Sequence, residues 1–501
     1  MDAFLTALSA FSDPYLLMVI LIGTLGGVLV GAMPGLSSTM ATALLLPFTL
    51  TMDPIPAISL LSALYCAGTF GGSITAILVN APGAPPAAAT AFDGYPLAQR
   101  GEAGMALGMA AVSSVIGGIF SIVVLIVAAP LLSRVAYNFG PPEYFALSLF
   151  GLSMLATISG ESALKNLIGG AFGVLLATIG MDFTTGVERF TFGFWELTEG
   201  VHFIPVMIGL FAGCEFLTQA SKLKEGRVRA VFDAVKLPGW NDFKRCFGTI
   251  CRSCGIGSFI GLLPAEGGTV AAMIGYNEAK RWAKDKSQFG KGDLRGIAGP
   301  EAANNAATGA AMVPTLALGI PGSATTAIIL GALLVHGLRP GPHLFIETPS
   351  LLYAIFLSML VANFAFAAFG FAGAKLFARV TLIPIEYLWP AVFVLASIGA
   401  YAMDQSIMDV WIMVLAGLLG FVLKRYGFSA APIIMGLILG ELVENSLKQS
   451  LIIFDHNWFH FLERPIVVTF LVLTIASMVW PLVTLFRTRR QERKAADAAQ
   501  G

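Results

Sequence analysis

Small hydroxyl side chains follow three of the four places where Pro and Gly interrupt long apolar segments of this chain. These three breaks are Pro34-Gly35, Gly267-Gly268 and Pro321-Gly322. The hydroxyl residues that come after them are Ser37, Ser38, Thr39, Thr269, Ser323, Thr325 and Thr326. A helix that begins after such a break presents free N–H groups at its positive end, and neighbouring hydroxyls add further donors. The pattern predicts a binding site for an anion.

The remaining break lies in NAPGAP at residues 80–85. Breaks also free backbone carbonyls, and nearby asparagines add amide oxygens, so we expect hard-cation ligands for Na⁺ in the same region, without assigning them individually. The candidate coupling-ion or protonation residues are Glu266, Asn304 and Asn305. The candidate substrate-binding residues are Pro34, Gly35, Ser37, Ser38, Thr39, Asn80, Pro82, Gly83, Gly267, Thr269, Pro321, Gly322, Ser323 and Thr325.

A plainer explanation is that Gly, Ser and Thr are small residues that let membrane helices pack closely. For any single glycine or serine that explanation is the better one. Packing alone, however, does not require Pro and Gly together at four related breaks. Irregular backbone at membrane depth is tolerated only where it is buried in protein or lines a wet cavity. We therefore interpret the four breaks together as a binding region.

Ionisable residues inside a membrane are costly, so each one is a functional candidate. Eight carboxylates lie near the ends of apolar segments, where we expect an interfacial, solvated position: Asp93, Glu143, Glu161, Glu215, Glu301, Glu386, Asp404 and Glu441. Glu266 sits at the tip of a predicted hairpin and is harder to dismiss. His456 and His460 have the i, i+4 spacing of a metal pair on a helix, but an aromatic belt at the membrane interface explains them equally well.

No catalytic residues can be assigned. The sequence lacks a GxxxxGK[ST] loop, a GxSxG elbow and an HExxH motif, so we expect no nucleotide hydrolysis within this chain. An enzyme would need acid, base or metal-binding groups at one spacing. We therefore expect no enzyme activity, no cofactor beyond a coupling cation and no nucleic-acid partner.

The elements that must position these residues are membrane helices. Of the 501 residues, 56% are hydrophobic and 12% charged, with a mean hydropathy of +0.79, whereas soluble domains carry roughly 25% charged residues. Apolar stretches long enough to cross a bilayer include residues 15–32, 104–133, 348–372 and 464–486. No Lys or Arg precedes the first of them, so we expect a retained helix rather than a signal peptide. The sequence predicts an all-α polytopic membrane protein.

Four pairs of short strings indicate an internal duplication. GVLVGAMPG (27–35) matches GSFIGLLPA (257–265), and NAPGAP (80–85) matches GIPGSA (319–324). PPEYF (141–145) matches PIEYL (384–388), and PVMIGLFAG (205–213) matches PIIMGLILG (432–440). Because all four pairs occur in the same order, we predict two transmembrane repeats, at 10–220 and 247–445.

Charge places these repeats in opposite orientations. TMDPIPA (51–57) has no basic residue, whereas its counterpart KRWAKDKSQFGKGDLRG (280–296) is dense in Lys and Arg. Basic loops stay in the cytoplasm, so we predict inverted-topology repeats with broken or re-entrant helical hairpins and a periplasmic N-terminus. The other predicted segments are a cytoplasmic linker at 221–246, a connecting loop and extra C-terminal helix at 446–486, and a basic cytoplasmic tail at 487–501.

The broken segments resemble the large membrane subunit of the tripartite tricarboxylate transporter family (TctA type). The resemblance covers most of the chain and is densest at 70–107 and 289–345. The segments PGLSS (34–38), NAPG (80–83), ANNA (303–306) and IPGS (320–323) look like the family's substrate and ion region. It implies a secondary transporter of the bacterial inner membrane. The expected partners are a small four-helix membrane subunit and a periplasmic solute-binding protein, and the expected cargo is citrate or another carboxylate, commonly carried with Na⁺.

One position departs from the family pattern. Where the family usually reads PGxG, this chain has Pro264-Ala265-Glu266-Gly267. A carboxylate there could repel an anionic substrate or hold a proton or Na⁺, so the cargo and the coupling cation stay open. The competing classes are a passive anion channel, a transporter for a non-carboxylate small solute and a membrane-embedded enzyme. Broken helices in inverted pairs favour transport by alternating access.

Overall fold

The structure is a computed structural model of the chain, and it describes residues 2–33, 35–155, 162–182, 184–221, 235–264, 267–380 and 385–479. Within these ranges the chain is mostly helical. Two short strands, β1 (Gly180–Met181) and β2 (Glu188–Arg189), form an antiparallel ladder. Seven helices of the described ranges are long and apolar enough to cross a membrane. The predicted all-α polytopic class is confirmed.

Of the described helices, ten precede the predicted linker: α1 Asp2–Ala10, α2 Pro14–Gly31, α3 Ser38–Thr49, α4 Pro54–Val79, α5 Ala87–Leu97, α6 Ala103–Ala136, α7 Pro141–Met154, α8 Ala163–Ala177, α9 Phe203–Ile208 and α10 Cys214–Ala220. The others follow it: α11 Trp240–Gly261, α12 Gly267–Arg281, α13 Leu294–Leu318, α14 Ala324–Val335, α15 Pro342–Glu347, α16 Pro349–Val380, α17 Ile385–Asp404, α18 Ile407–Arg425, α19 Ala430–Ile453 and α20 Pro465–Val479. Short π-helical turns at Ala98–Glu102 and Gly209–Gly213 join α5 to α6 and α9 to α10, and 3-10 turns occur at Trp195–Leu197 and Trp458–Phe461.

The chain divides into two compact units. The first comprises Met1–Tyr137 and Ile204–Val422, and the second comprises Asn138–Phe203 and Leu423–Gly501. Each unit takes segments from both predicted repeats, so the repeat boundaries remain a prediction. The candidate substrate-binding residues that the structure describes all belong to the first unit.

Two helix pairs of the first unit pack with their backbones in contact. A Cβ atom added at Gly27 of α2 would lie 2.6 Å from the carbonyl oxygen of Leu64 on α4. One added at Gly257 of α11 would lie 2.1 Å from that of Ala303 on α13. Only glycine permits so close an approach. Because Gly27 and Gly257 open the matched strings GVLVGAMPG and GSFIGLLPA, the two pairs use the same packing device.

The helices α4 and α13 also end in the same way. Asn80 caps α4 with φ 54° and ψ 31°, and Gly319 caps α13 with φ 71° and ψ 21°. This left-handed region suits glycine, and asparagine tolerates it better than most other residues. The match between NAPG and GIPG is therefore explained by helix termination, after which the chain turns into α5 in one case and α14 in the other.

Ion pairs fix the second unit. Glu143, at the start of α7, accepts hydrogen bonds of 3.0 and 3.1 Å from Arg464. It is only 4% exposed, so the expectation of a solvated position was wrong for this residue. Asp182, after β1, accepts a 2.7 Å hydrogen bond from Lys448 of α19, and this bond holds the pKa of Asp182 well below its usual range.

Candidate functional site

A polar cavity in the first unit is lined by most of the hydroxyl residues that the sequence pattern predicts to bind an anion. Its volume is about 80 Å³, which is room for several water molecules. The hydroxyl residues from three breaks meet on its wall: Ser37, Ser38, Thr39, Thr269, Ser323 and Thr325. They come from segments more than 280 residues apart in the chain, so the fold brings the first and last breaks together.

Serine caps begin two of the helices that reach the cavity. The side chain of Ser37 accepts a 3.2 Å hydrogen bond from the backbone N–H of Met40 at the start of α3. The side chain of Ser323 accepts a hydrogen bond of the same length, 3.2 Å, from the N–H of Thr326 at the start of α14. The Thr326 hydroxyl in turn accepts a 2.8 Å hydrogen bond from the N–H of Ser323. This reciprocal capping box fixes the end of α14 against the cavity.

Hydroxyl contacts connect the two capped helices and the wall. The hydroxyl oxygens of Thr39 on α3 and Thr325 on α14 lie 2.7 Å apart. The hydroxyl of Tyr65 on α4 lies 3.4 Å from that of Ser323. These groups can each donate or accept a hydrogen bond, so they can turn toward a bound solute.

The amino ends of four helices border the cavity. Besides α3 and α14, the helix α5 reaches it through Pro85 and Pro86, and α12 reaches it through Gly268 and Thr269. None of the described residues on its wall carries a charge. Each helix amino end carries about half a positive charge. The arrangement can therefore hold an anion with backbone dipoles and hydroxyl donors alone.

Some of the residues predicted from the sequence do not line this cavity: Gly35, Asn80, Pro82, Gly83, Gly267, Asn305, Pro321 and Gly322. Gly83 and Gly322 are packed against backbone, since an added Cβ would lie 1.9 Å from Gly31 O and 2.5 Å from Ala311 O respectively. Asn80 is an exposed helix cap. Asn304 does line the cavity, whereas Asn305 donates to the carbonyl of Glu301 at 3.1 Å. Pro34 and Glu266 lie outside the described residues.

Three polar residues of the cavity were missed by the sequence reasoning. Tyr65 and Thr69 project from α4, and Thr308 projects from α13. Tyr65 and Thr69 are four residues apart, as are Asn304 and Thr308, so each pair occupies one face of its helix. Polar residues at this spacing in otherwise small and apolar helices were the signal available in the sequence.

Two carboxyl groups of the first unit are buried, contrary to the interfacial positions expected for them. Asp93 and Glu301 are both 0% exposed. One oxygen of Asp93 accepts backbone hydrogen bonds of 2.8–2.9 Å from Gly290, Gly292 and Asp293. Asp93 thereby fixes the loop that leads into α13.

Glu301 is held by hydroxyl groups from three helices. Ser73 of α4 and Thr90 of α5 donate to its Oε1 atom, and Ser114 of α6 donates to its Oε2 atom at 2.8 Å. The position of Glu301 near the end of an apolar segment gave no sign of this burial, because the three covering helices lie about 190 to 230 residues earlier in the chain.

The model of the tripartite tricarboxylate transporter TctA family matches residues 17–435. The chain belongs to this family. The resemblance noted in the sequence is therefore confirmed, and as a TctA-family protein the chain is a multi-pass membrane component of a tripartite transporter rather than an enzyme.

Two relatives of this TctA-family protein come from Agrobacterium vitis. An uncharacterized 52.8 kDa protein in the TAR-I ttuC' 3'region is 38% identical over 476 residues, which cover 94% of each chain. An uncharacterized protein in the TAR-II ttuC' 3'region is 34% identical over 236 residues, which cover 47% of this chain and 98% of that one. No solved structure matches the chain.

Proposed function

We propose that this TctA-family protein imports tricarboxylates or related carboxylates, such as citrate, by symport with a cation, Na⁺ or H⁺. The proposal is supported by one observation: the amino ends of four helices, with their hydroxyl residues, border the same cavity. Carboxylate oxygens accept hydrogen bonds from such N–H and hydroxyl groups. Without a fixed cationic side chain on the described wall, the bound anion can also be released, as transport requires.

The paired architecture supports alternating access around this cavity. The breaks after α2 and α11 and the caps at Asn80 and Gly319 come in equivalent pairs, which is the arrangement expected when two repeats move against each other. We propose the inverted orientation read from the loop charges, with a periplasmic N-terminus and a cytoplasmic C-terminus in the bacterial inner membrane. The partners are a periplasmic solute-binding protein that delivers the carboxylate and a small four-helix membrane subunit.

The proposal is tested by uptake of radiolabelled citrate, with a panel of di- and monocarboxylates, into proteoliposomes. The vesicles contain this chain and the small subunit, with or without the binding protein, and with or without a Na⁺ or pH gradient. We expect uptake that requires both the binding protein and a gradient. Uptake of carboxylate without either one would identify a passive anion channel. Uptake of only non-carboxylate solutes would refute the substrate class.

A further inference from the structure

The described residues give Glu301 no cationic partner that would keep it ionised. Among the described residues no Lys, Arg or His forms an ion pair with its carboxyl group, and the groups that act on its ionisation are the three hydroxyls of Ser73, Thr90 and Ser114. A carboxylate that is wholly buried and unpaired in a membrane protein is costly, whereas the neutral acid is far less so. The site therefore suits a group that gains and loses a proton.

The chemistry of the three partners fits both protonation states. A hydroxyl group can donate one hydrogen bond and accept others. When Glu301 is ionised, Ser73, Thr90 and Ser114 all donate to it, as they do in the structure. When Glu301 is protonated, one of the hydroxyls rotates to accept the acid proton. A guanidinium or ammonium group in their place could only donate and would favour the ionised state.

The helices α4, α5 and α13 each carry a residue of the Glu301 site and, about one turn away, a residue that lines the cavity. Thr69 lies four residues before Ser73, Pro86 lies four residues before Thr90, and Asn304 lies three residues after Glu301. One turn of an α-helix advances about 5.4 Å. A rearrangement of the hydrogen bonds at Glu301 therefore acts on the same helices that hold the solute.

Other titratable groups on the helices packed against α13 do not bond to this carboxyl. Those closest along each helix are Cys66 on α4, Asp93 on α5, Arg134 on α6, Cys254 on α11, Tyr276 on α12 and Arg295 on α13. Asp93 is bonded to the 290–293 loop, and Arg295 is paired with Asp293 at 2.7 Å. The described helix α14 carries no titratable group. The titratable groups of α15, His343 and Glu347, contact each other at 3.7 Å.

We propose that Glu301 is the protonation site that couples transport to a proton. A proton from the outer solution binds the carboxylate while the cavity is open to that side, and it leaves to the cytoplasm when the cavity opens inward. The solute and the proton are coupled because both act on α4, α5 and α13, which must adopt one of two arrangements. This inference rests on the proposed function, since it assigns the cation of that symport.

The test compares wild-type protein with Glu301→Gln, whose amide imitates the neutral acid, in the proteoliposomes with partner proteins. Radiolabelled citrate is used, or the carboxylate that the wild-type chain accumulates. We expect Glu301→Gln to lose pH-gradient-driven accumulation and to give a flat pH profile, while exchange of internal for external carboxylate continues within about tenfold of wild type. Exchange requires no net proton movement. The matched control, Glu347→Gln on α15, keeps both activities because Glu347 is exposed and outside this site.

A second variant protects the test against misfolding of Glu301→Gln. Ser114→Ala removes one donor to the carboxylate, which disfavours the ionised form, so the midpoint of the pH profile should move upward by about one unit. An unchanged midpoint would overturn the assignment. So would Glu301→Gln protein that still accumulates carboxylate under a pH gradient, or wild-type accumulation that follows Na⁺ alone with no dependence on pH.

Infrared difference spectra between acid and alkaline pH separate failure of this inference from failure of the proposed function. A band from a buried protonated carboxyl should be present in wild type and Glu347→Gln and absent in Glu301→Gln. If no carboxylate is transported but this band follows Glu301, the proposed substrate class is wrong and the protonation site stands. If the band is the same in all three proteins, the protonation site is refuted whatever the transport result.

Discussion

Replacing Thr325 by valine removes one hydroxyl from the cavity with little change of shape. The Thr325 side chain is 4% exposed, and its hydroxyl lies 2.7 Å from that of Thr39. Valine keeps the branched shape but cannot donate to a carboxylate, and it deprives Thr39 of its partner across the cavity. A hydrogen bond to a charged group contributes about 1.5–3 kcal/mol. We therefore expect KM for carboxylate uptake to rise roughly 10- to 100-fold.

The assay measures the concentration dependence of uptake and, separately, binding of labelled carboxylate to purified protein. Thr325→Ser restores the hydroxyl and should stay within about threefold of wild type if hydrogen bonding is what matters. Thr469→Val on α20 is the matched control, because that hydroxyl bonds only within its own helix, to Pro465 O at 2.8 Å. Wild-type KM in Thr325→Val protein, or an equal loss in Thr325→Ser, would refute the reasoning.

Three further predictions concern the scaffold. Gly27→Ala should lower the thermal midpoint of detergent-solubilised protein, because its Cβ would lie 2.6 Å from Leu64 O and overpacking costs about 1–3 kcal/mol. The neighbouring Gly26→Ala has nothing within 4 Å and should not lower the midpoint; equal effects of the two would contradict the α2–α4 packing. Arg464→Met should destabilise the protein by about 1–3 kcal/mol because it leaves the buried carboxylate of Glu143 without its cation. Adding Glu143→Gln to this variant should recover part of the lost stability in the same unfolding assay. A double variant no more stable than Arg464→Met would argue against the ion pair. Lys448 holds the pKa of Asp182 below its usual range. The ion pair between Asp182 and Lys448 therefore stabilises the folded protein above the unfolded pKa of about 3.9, and this stabilisation is lost as pH falls toward the pKa of Asp182 in the folded protein. The thermal midpoint of Lys448→Met should therefore change less than that of wild type between pH 5 and pH 3. Parallel plots of midpoint against pH for the two proteins would exclude this linkage.

The breaks and their helix starts could be predicted from the sequence because they follow from local chemistry. Gly35 and the caps Ser37 and Ser323 act through their own backbone or through a neighbour three residues away. The likeness of NAPG to GIPG could likewise be noticed without a structure. The structure adds that its cause is the left-handed cap at Asn80 and Gly319.

The composition of the wall could be predicted only in part. Local patterns do not tell which side of a turn faces a cavity, so they predict Gly83 and Gly322 as binding residues although both pack against backbone. Tyr65, Thr69 and Thr308 face the cavity from helix interiors, where no break marks them.

Burial of carboxyl groups was the hardest feature to predict. Glu301 and Asp93 are covered by partners far away in the chain, and nothing near them in the sequence names those partners. For Glu143 the cation is supplied by Arg464, which is 321 residues away. Nearness to the end of an apolar segment was therefore a poor guide to solvation.

We expect the transported carboxylate to bind in the cavity between the amino ends of α3, α5, α12 and α14. The most direct measurement is an experimental structure of the purified chain with a saturating concentration of that carboxylate. We expect ligand density within hydrogen-bond distance of Thr39, Ser323 and Thr325. Density for the carboxylate elsewhere in the protein, with this cavity holding only water, would contradict carboxylate binding at these helix ends.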